Sequence, residues 1–429
     1  MPFNLAPPRS LQVLGRDGRL LFGTRILRLF AYGFLSVVLV LYLVEAGLSE
    51  VQVGLLLTLT LLGDTAKSLW ITTSADRLGR RRMLVAGALL MVLGGAAFAL
   101  TGNLWLLLVA ATIGVISPSG GEIGPFLPIE QSALAQAVPA ADRTGVFAWY
   151  NLVGSFATAI GALVGGVLAQ SLQSAGLSPL LSYRWNVVGY TLLGLALAFV
   201  FTRLTAGVEV AITGGQSISA PARNRLGLHH SSGIVFRLSA LFALDSFAGA
   251  FALQSIVAYW FHVRFGADPA LLGGIFFGAN LLAGVSALAA ASVASRIGLV
   301  NTMVFTHLPS NLLLMLVPLM PSLPLAIGVL LLRFSISQMD VPPRQAYVMA
   351  VVRPDERSSA AGITGSARTI GASLAPVFVG PMLASPALIG MPFLVAGGLK
   401  VIYDLLLFRN FRSVRPREEP ASADTRATP

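Results

Sequence analysis

The chain has 429 residues, is 55% hydrophobic and only 11% charged, and its mean hydropathy is +0.79. A soluble domain carries about 25% charged residues, so the composition marks an integral membrane protein. The absence of cysteine excludes disulfides and thiolate-ligated metal, and the net charge of +11 follows membrane topology, not nucleic-acid binding.

Residues 1–24 are polar and interrupted by proline, so they read as a cytoplasmic tail without a cleavable signal peptide. Apolar stretches of about 20 residues, long enough to cross a bilayer, then recur. The first six are expected over 26–46, 51–73, 82–101, 104–137, 146–170 and 185–204, forming a lobe over 25–204. Residues 205–233 are rich in Gly, Ser and Ala, carry Arg223, Arg225, His229 and His230, and read as a cytoplasmic linker. Six further spans are expected over 235–261, 268–291, 299–320, 322–350, 358–383 and 386–408, a second lobe over 234–408. Residues 409–429 read as a disordered cytoplasmic tail. The fold class is therefore an all-α membrane protein of twelve transmembrane helices. Arginines cluster in the tails, at 77–82, at 203–237 and at 344–357, and are missing from the alternate connections. That pattern places both termini in the cytoplasm, as expected for a multi-pass plasma-membrane protein, here of bacterial inner-membrane type.

Residues 117–143 place Glu122, Glu130, Pro125, Pro128 and three glycines where a helix should still be crossing. Irregular backbone at membrane depth survives only inside protein or against a wet cavity. An offset of 214 carries Pro128, Gln131, Val138 and Arg143 onto Pro342, Gln345, Val352 and Arg357. Offsets of 217 and 219 carry Phe30, Ala31, Phe34 and Tyr42 onto Phe247, Ala248, Phe251 and Tyr259, and Gly54, Arg77 and Gly79 onto Gly273, Arg296 and Gly298. The chain reads as a duplication, and a Pro/Gly break repeated in both halves points to a transporter's binding region.

The segment Ala75-Asp76-Arg77-Leu78-Gly79-Arg80-Arg81-Arg82, between the second and third spans, resembles the cytoplasmic signature of the major facilitator superfamily. Thr72 stands where that signature has glycine, and the second-half copy, Ser295-Arg296-Ile297-Gly298, lacks the acid. Gly161-Ala162-Leu163-Val164-Gly165-Gly166 is similar to the fifth-helix element of the drug/proton antiporters, with Ala162 in place of proline and the proline retained at the aligned Pro376. The antiporters' fourth-helix arginine element has no match within 104–116. The resemblance implies two pseudo-symmetric six-helix bundles and a central cavity lined by helices one, four, seven and ten. It also implies a conformational gate at Asp76, Arg77, Gly79, Arg80 and Arg81, with Asp76 set to accept N–H groups at a helix N-terminus. For Arg80 to Arg82 a plain topogenic loop is the alternative.

Charge within the bilayer is costly and marks function. Asp64 lies twelve residues before Asp76, or about 18 Å along a helix, at mid-depth. With Lys67 it is either a proton-loading carboxyl or half of a structural pair. Glu122 and Glu130, eight residues apart, are expected on one helix face, with Glu122 the first choice for coupling or cation recognition. Asp245, Arg333 and Asp340 are further coupling or substrate residues, the last two sharing a face of helix ten. Glu130 and Arg344 are duplicate-related with opposite charge, as are Arg28 and Asp245. They are expected either to pair across the lobes when the protein faces outward or to pair within each lobe. Arg368 and Asn151 are weaker candidates, His307 is expected simply to pack, and Trp149, Tyr150, Tyr259 and Trp260 are expected mainly as interfacial anchors.

Enzyme motifs and nucleotide-binding glycine patterns are missing, and the four histidines have no metal-ligand spacing. The expected function is secondary transport by alternating access, without cofactor or metal. The first choice is proton-coupled efflux of a drug-like or toxic compound. The alternatives are proton-coupled uptake or facilitated diffusion of a metabolite, and remotely a membrane sensor. Expected partners are a small-molecule substrate, protons and the lipid bilayer, with a monomeric chain.

Overall fold

The structure, a computed structural model, describes residues 12–139, 142–209, 228–353 and 356–412, and all regular structure among them is helical. Arg223, Arg225 and the tail beyond 412 lie outside the described residues. In the first half, α1 (Arg16–Ser36) and α2 (Leu39–Glu45) form one span bent by 44°. It is followed by α3 (Glu50–Leu78) and α4 (Arg80–Leu100). The fourth span is split into α5 (Leu104–Ile113) and α6 (Phe126–Ala137), and α7 (Arg143–Ser174) and α8 (Pro179–Thr202) complete the half. The second half repeats the plan. A seventh span is built from α9 (Ser232–Gly249) and α10 (Gln254–Phe265), and α11 (Pro269–Ile297) and α12 (Leu299–Leu316) follow. A split tenth span consists of α13 (Leu323–Phe334) and α14 (Val341–Val351). The eleventh is α15 (Arg357–Leu374) with α16 (Pro376–Leu383), and α17 (Met391–Phe411) is the twelfth.

Seven of these segments are long and apolar enough to cross alone, and α1 with α2 makes an eighth. The remaining four are α3, which carries Asp64 and Lys67, and the interrupted fourth, tenth and eleventh spans. Large apolar side chains such as Leu93, Trp105, Phe199, Phe305 and Leu332 stay exposed on the outside, as a lipid-facing wall requires.

Three expectations need correction. The fourth span is not one helix over 104–137: it is irregular from Gly114 to Pro125, where glycine and proline cannot sustain the backbone ladder. Glu122 therefore lies in the break and Glu130 in α6, so they do not share a helix face. The tenth span likewise breaks between Phe334 and Val341, which separates Arg333 from Asp340. The first helix also starts earlier than expected, at Arg16, with Asp17 in its first turn, where the helix dipole favours an acid.

The halves meet through α3 against α15 and α16, and through α7 against α11. A Cβ added at Gly54 would lie 2.5 Å from the Pro376 carbonyl oxygen, and one at Gly166 would lie 2.2 Å from that of Pro269. Only glycine allows this backbone approach. Both contacts sit at the end far from the chain termini. There the apolar core is continuous across the halves, from Leu39 and Val53 to Ile256 and Val379. Near the termini the second half keeps a core of its own, around Val235, Phe242, Tyr347 and Leu407. The molecule is thus sealed at one end.

Candidate functional site

In the first half, charge gathers around the fourth-span break. Arg25 Nη1 donates to Glu122 Oε2 at 2.8 Å, and Arg28 Nη2 lies 3.1 Å from Glu122 Oε1 and 2.8 Å from Glu130 Oε2. Thr24 Oγ1 donates to Glu130 Oε1 at 2.9 Å, and the Tyr150 hydroxyl donates to Glu130 Oε2. Arg28 and Glu130 are fully buried, whereas the Glu122 side chain keeps 19% exposure. Arg25 also donates to the Tyr150 carbonyl at 2.7 Å and to Asn151 Oδ1 at 3.2 Å. Two acids and two arginines balance, as buried charge demands. Tyr150 is therefore a buried ligand of Glu130 and not an interfacial anchor.

The polar residues of α3 serve the same break. Gly124 N–H donates to Asp64 Oδ2 at 2.9 Å, Lys67 Nζ donates to the Gly114 carbonyl, and Ser68 Oγ donates to the Gly124 carbonyl at 3.2 Å. Asp64 and Lys67 thus satisfy backbone groups freed where span four unwinds, and no ion pair between them is found among the described residues. Asp64 Oδ1 is buried without a hydrogen-bond partner.

The second half has a larger cluster. Arg344 Nη1 lies 2.9 Å from Asp245 Oδ2 and 3.2 Å from Asp340 Oδ2, while Lys400 Nζ lies 2.6 Å from Asp245 Oδ1. His307 Nδ1 meets Asp404 Oδ1 at 2.9 Å, and Asn311 Nδ2 donates to Asp404 Oδ2 at 2.9 Å. Arg333 makes no ion pair among the described residues: its guanidinium lies 4.9 Å from the Phe334 ring centroid. Arg368 Nε donates to Ser246 Oγ at 3.2 Å.

The duplicate-related residues of opposite charge pair within their own halves in this structure: Arg28 with Glu130, and Asp245 with Arg344. Sequence reasoning missed Arg25, Lys400 and Asp404, and took His307 for packing. Lys400 and Asp404 carried a readable signal, two charges four residues apart in an otherwise apolar span.

At the sealed end, Gln254 Nε2 donates to Ser36 Oγ at 2.8 Å and the Tyr259 hydroxyl donates to Glu50 Oε1 at 2.8 Å. Ser255 N–H donates to the Pro118 carbonyl at 3.1 Å. Tyr259 thus joins the halves. Trp260 is buried against Phe393, their ring centroids 4.8 Å apart, while Trp149 is half-buried.

At the terminus end, Asp76 Oδ1 accepts from Arg80 Nε at 2.9 Å, and Arg77 and Arg81 are exposed. The start of α4 is capped not by Asp76 but by Glu209, which accepts from Arg80 N–H at 2.7 Å and Arg81 N–H at 3.2 Å. Gly79, at φ +99°, makes the turn there. Glu356 holds the entry to α9 in the same manner, accepting from His229 N–H, from His230 N–H at 2.8 Å and from Ser231 N–H at 3.1 Å. Burial works against its charge. The Ser231 hydroxyl and these backbone donors outweigh it and hold the carboxyl down to about 2.

Comparison with known proteins agrees with this architecture. The chain is 29% identical over 425 residues to an uncharacterised membrane protein of Saccharomyces cerevisiae, covering 93% of this chain and 95% of that one. A Na(+), Li(+), K(+)/H(+) antiporter of Planococcus maritimus is 30% identical over 162 residues, 37% of this chain and 35% of its own. A crystal structure of a nucleoside transporter has the same fold, with TM-score 0.74 at 15% identity, covering 92% of this chain and 100% of that one. The family model described as Major Facilitator Superfamily matches residues 21–376. A duplicated helical bundle, charge at the breaks of its split spans and a match over most of its length make this chain a member of the major facilitator superfamily.

Proposed function

We propose that the chain is a proton-coupled secondary transporter for a small solute, working by alternating access between its two halves, residues 25–204 and 234–408. The observation that carries this reading is Glu122: a carboxylate in the broken fourth span, bonded to Arg25 and Arg28 yet still 19% exposed. A proton or a solute cation arriving there competes with both arginines. A solute anion competes with the carboxylate instead. Either event unbalances a cluster that extends to the fully buried Arg28–Glu130 pair, and an unbalanced buried charge drives rearrangement. Asp64 is the second proton-coupling residue: its Oδ1 is buried without a partner, so a proton there displaces no existing hydrogen bond. Asp245, Arg344 and Asp340 form the facing site on the second half.

The termini are assigned to the cytoplasm on the distribution of arginine, which makes this the inward-facing state, sealed by Gln254, Tyr259 and the Gly54 and Gly166 contacts. When the halves close at the terminus side, Glu130 and Arg344, and Arg28 and Asp245, exchange partners across the cleft. The gate residues Asp76, Arg77, Gly79, Arg80 and Arg81, with Glu209 beside them, control that closure. Exchange of solute for protons, and hence efflux, is favoured by the fifth-span glycines and by the partial relative that exchanges cations for protons.

The test is flux in proteoliposomes with an imposed pH gradient and an internal pH dye, run against a compound panel with Glu122→Gln and Asp64→Asn as controls. Solute-dependent proton movement lost in Glu122→Gln supports the reading. Flux indifferent to the gradient, and unchanged in both variants, removes the coupling role.

A further inference from the structure

The second half contains a chain of groups with no counterpart around Arg28 and Glu130. Asp340, Arg344, Asp245, Lys400, His307 and Asp404 follow one another at 3.2, 2.9, 2.6, 3.5 and 2.9 Å, with Asn311 closing the far end on Asp404 at 2.9 Å. All are buried, contributed by the seventh, ninth, tenth and twelfth spans. The chain holds three carboxylates and two fixed cations. Two groups in it stand outside the fixed pairs and can change charge: the imidazole of His307 and the Asp404 carboxylate bonded to it.

We propose that His307 is a proton-binding residue whose occupancy is passed to the Asp245–Arg344 pair through Lys400. This rests on the reading of the protein as a proton-coupled transporter but names a different site. His307 Nδ1 faces Asp404 Oδ1 at 2.9 Å and Asn311 Nδ2 at 3.2 Å; with Asp404 ionised the shorter contact sets the tautomer, so Nδ1 carries a hydrogen and the free ring nitrogen is Nε2. Nε2 lies 3.5 Å from Lys400 Nζ and 3.8 Å from Asp245 Oδ1. With the ring neutral, Nε2 accepts from the ammonium. A proton arriving from the cleft bonds to the Nε2 lone pair, and the new N–H points at Asp245 Oδ1, the oxygen that Lys400 holds at 2.6 Å. The imidazolium and the ammonium then share Asp245 Oδ1, and like charges face each other at 3.5 Å. Lys400 must yield. Loss of the proton from Nε2 restores the first arrangement.

Lys400 is well placed to carry the message. Its Cε and Nζ lie 3.5 Å from where a Cβ would stand on Gly249, the last residue of α9 before the seventh-span break. Beyond that break, Gln254 and Tyr259 bond to Ser36 and Glu50 and seal the far end. Other charged or titratable groups about the ring are Tyr403, its ring centroid 5.9 Å from that of His307, and Arg368 on Ser246. Arg368 is half-buried and has no carboxylate within ion-pair distance among the described residues.

The test is nitrogen-15 NMR of the full chain in nanodiscs with labelled histidine. The sequence has four histidines, and His307→Gln assigns the resonance. The expected result is a ring whose Nδ1 stays protonated while Nε2 gains a proton as pH is lowered from 8 to 5. Asp245→Asn should lower the protonated fraction at a fixed subsaturating pH roughly tenfold, and Lys400→Met should raise it. A ring that stays neutral in wild type and Lys400→Met, or titrates identically in all three chains, overturns the proposal. Because this readout needs neither solute nor gradient, its failure is distinct from failure of the flux experiment.

Discussion

Arg28 Nη2 lies 2.8 Å from Glu130 Oε2, joining the first span to the fourth, and the residues at the duplicate positions, Asp245 and Arg344, join the seventh to the tenth at 2.9 Å with the charges exchanged. Removing one partner of a buried pair strands the other, at a cost of about 3–5 kcal/mol. Glu130→Gln should fall at the low end, because Glu122 also lies 3.1 Å from Arg28. Thermal unfolding of the purified variant in detergent checks this, and an unchanged midpoint would falsify the assigned role of the pair.

The same residues give a transport prediction. Glu130→Arg should abolish flux by facing Arg28 with a like charge. Adding Arg344→Glu should restore part of it if the two residues meet when the halves close at the terminus side. Flux that stays at zero in the double variant counts against the cross-half contact and leaves only the same-half pairs.

Gly54→Leu should open the sealed end. A Cβ there would stand 2.5 Å from the Pro376 oxygen and 3.0 Å from Gly380 Cα, so the halves must part. The chain has no cysteine, so spin labels on Gly102→Cys and Ala387→Cys, exposed in the loops at that end of either half, need no background substitutions. Double electron–electron resonance should show a longer mean distance in Gly54→Leu. An unaltered distribution contradicts the predicted opening.

Glu356 supplies a pH prediction outside the membrane. Its carboxyl lies at about 2 in the folded chain against an ordinary 4.5. A depressed folded-state value means stabilisation that is full above the ordinary value and is lost as pH falls from about 4.5 through 2. Glu356→Gln should remove that part of the acid dependence. Comparing unfolding midpoints of the two chains at pH 7 and pH 3 measures it, with the gap expected to be wider at pH 7.

Lys67→Met should destabilise by about 1–3 kcal/mol, the desolvation cost of an unmet buried carbonyl, because Gly114 O loses its donor. Lys67→Arg should recover part of the loss. Chemical denaturation in detergent distinguishes this from a pure charge effect: if Met and Arg variants are equally stable, the carbonyl contact contributes little.

The broken fourth and tenth spans could be read from proline and glycine crowding at 117–128 and at Pro342 and Pro343, since those residues act locally on the backbone. The duplication, and with it the charge reversal at Arg28, Glu130, Asp245 and Arg344, was equally visible. What could not be read was partner choice. Helical periodicity paired Asp64 with Lys67 and Arg333 with Asp340. In the fold each of the first pair is drawn to exposed backbone of span four, and the second pair is parted by the break between α13 and α14. His307 and Asp404 stand 97 residues apart, and only the packing of α12 on α17 brings them together.

The exchange of sign between the two inherited pairs has a consequence for assembly. Two copies of either half, related by a true twofold axis, would set arginine opposite arginine and acid opposite acid at these positions. The chain as it stands sets unlike charges at symmetry-related places. In this structure each pair is closed within its own half, so the two halves carry the same kind of lock with its charges in opposite order.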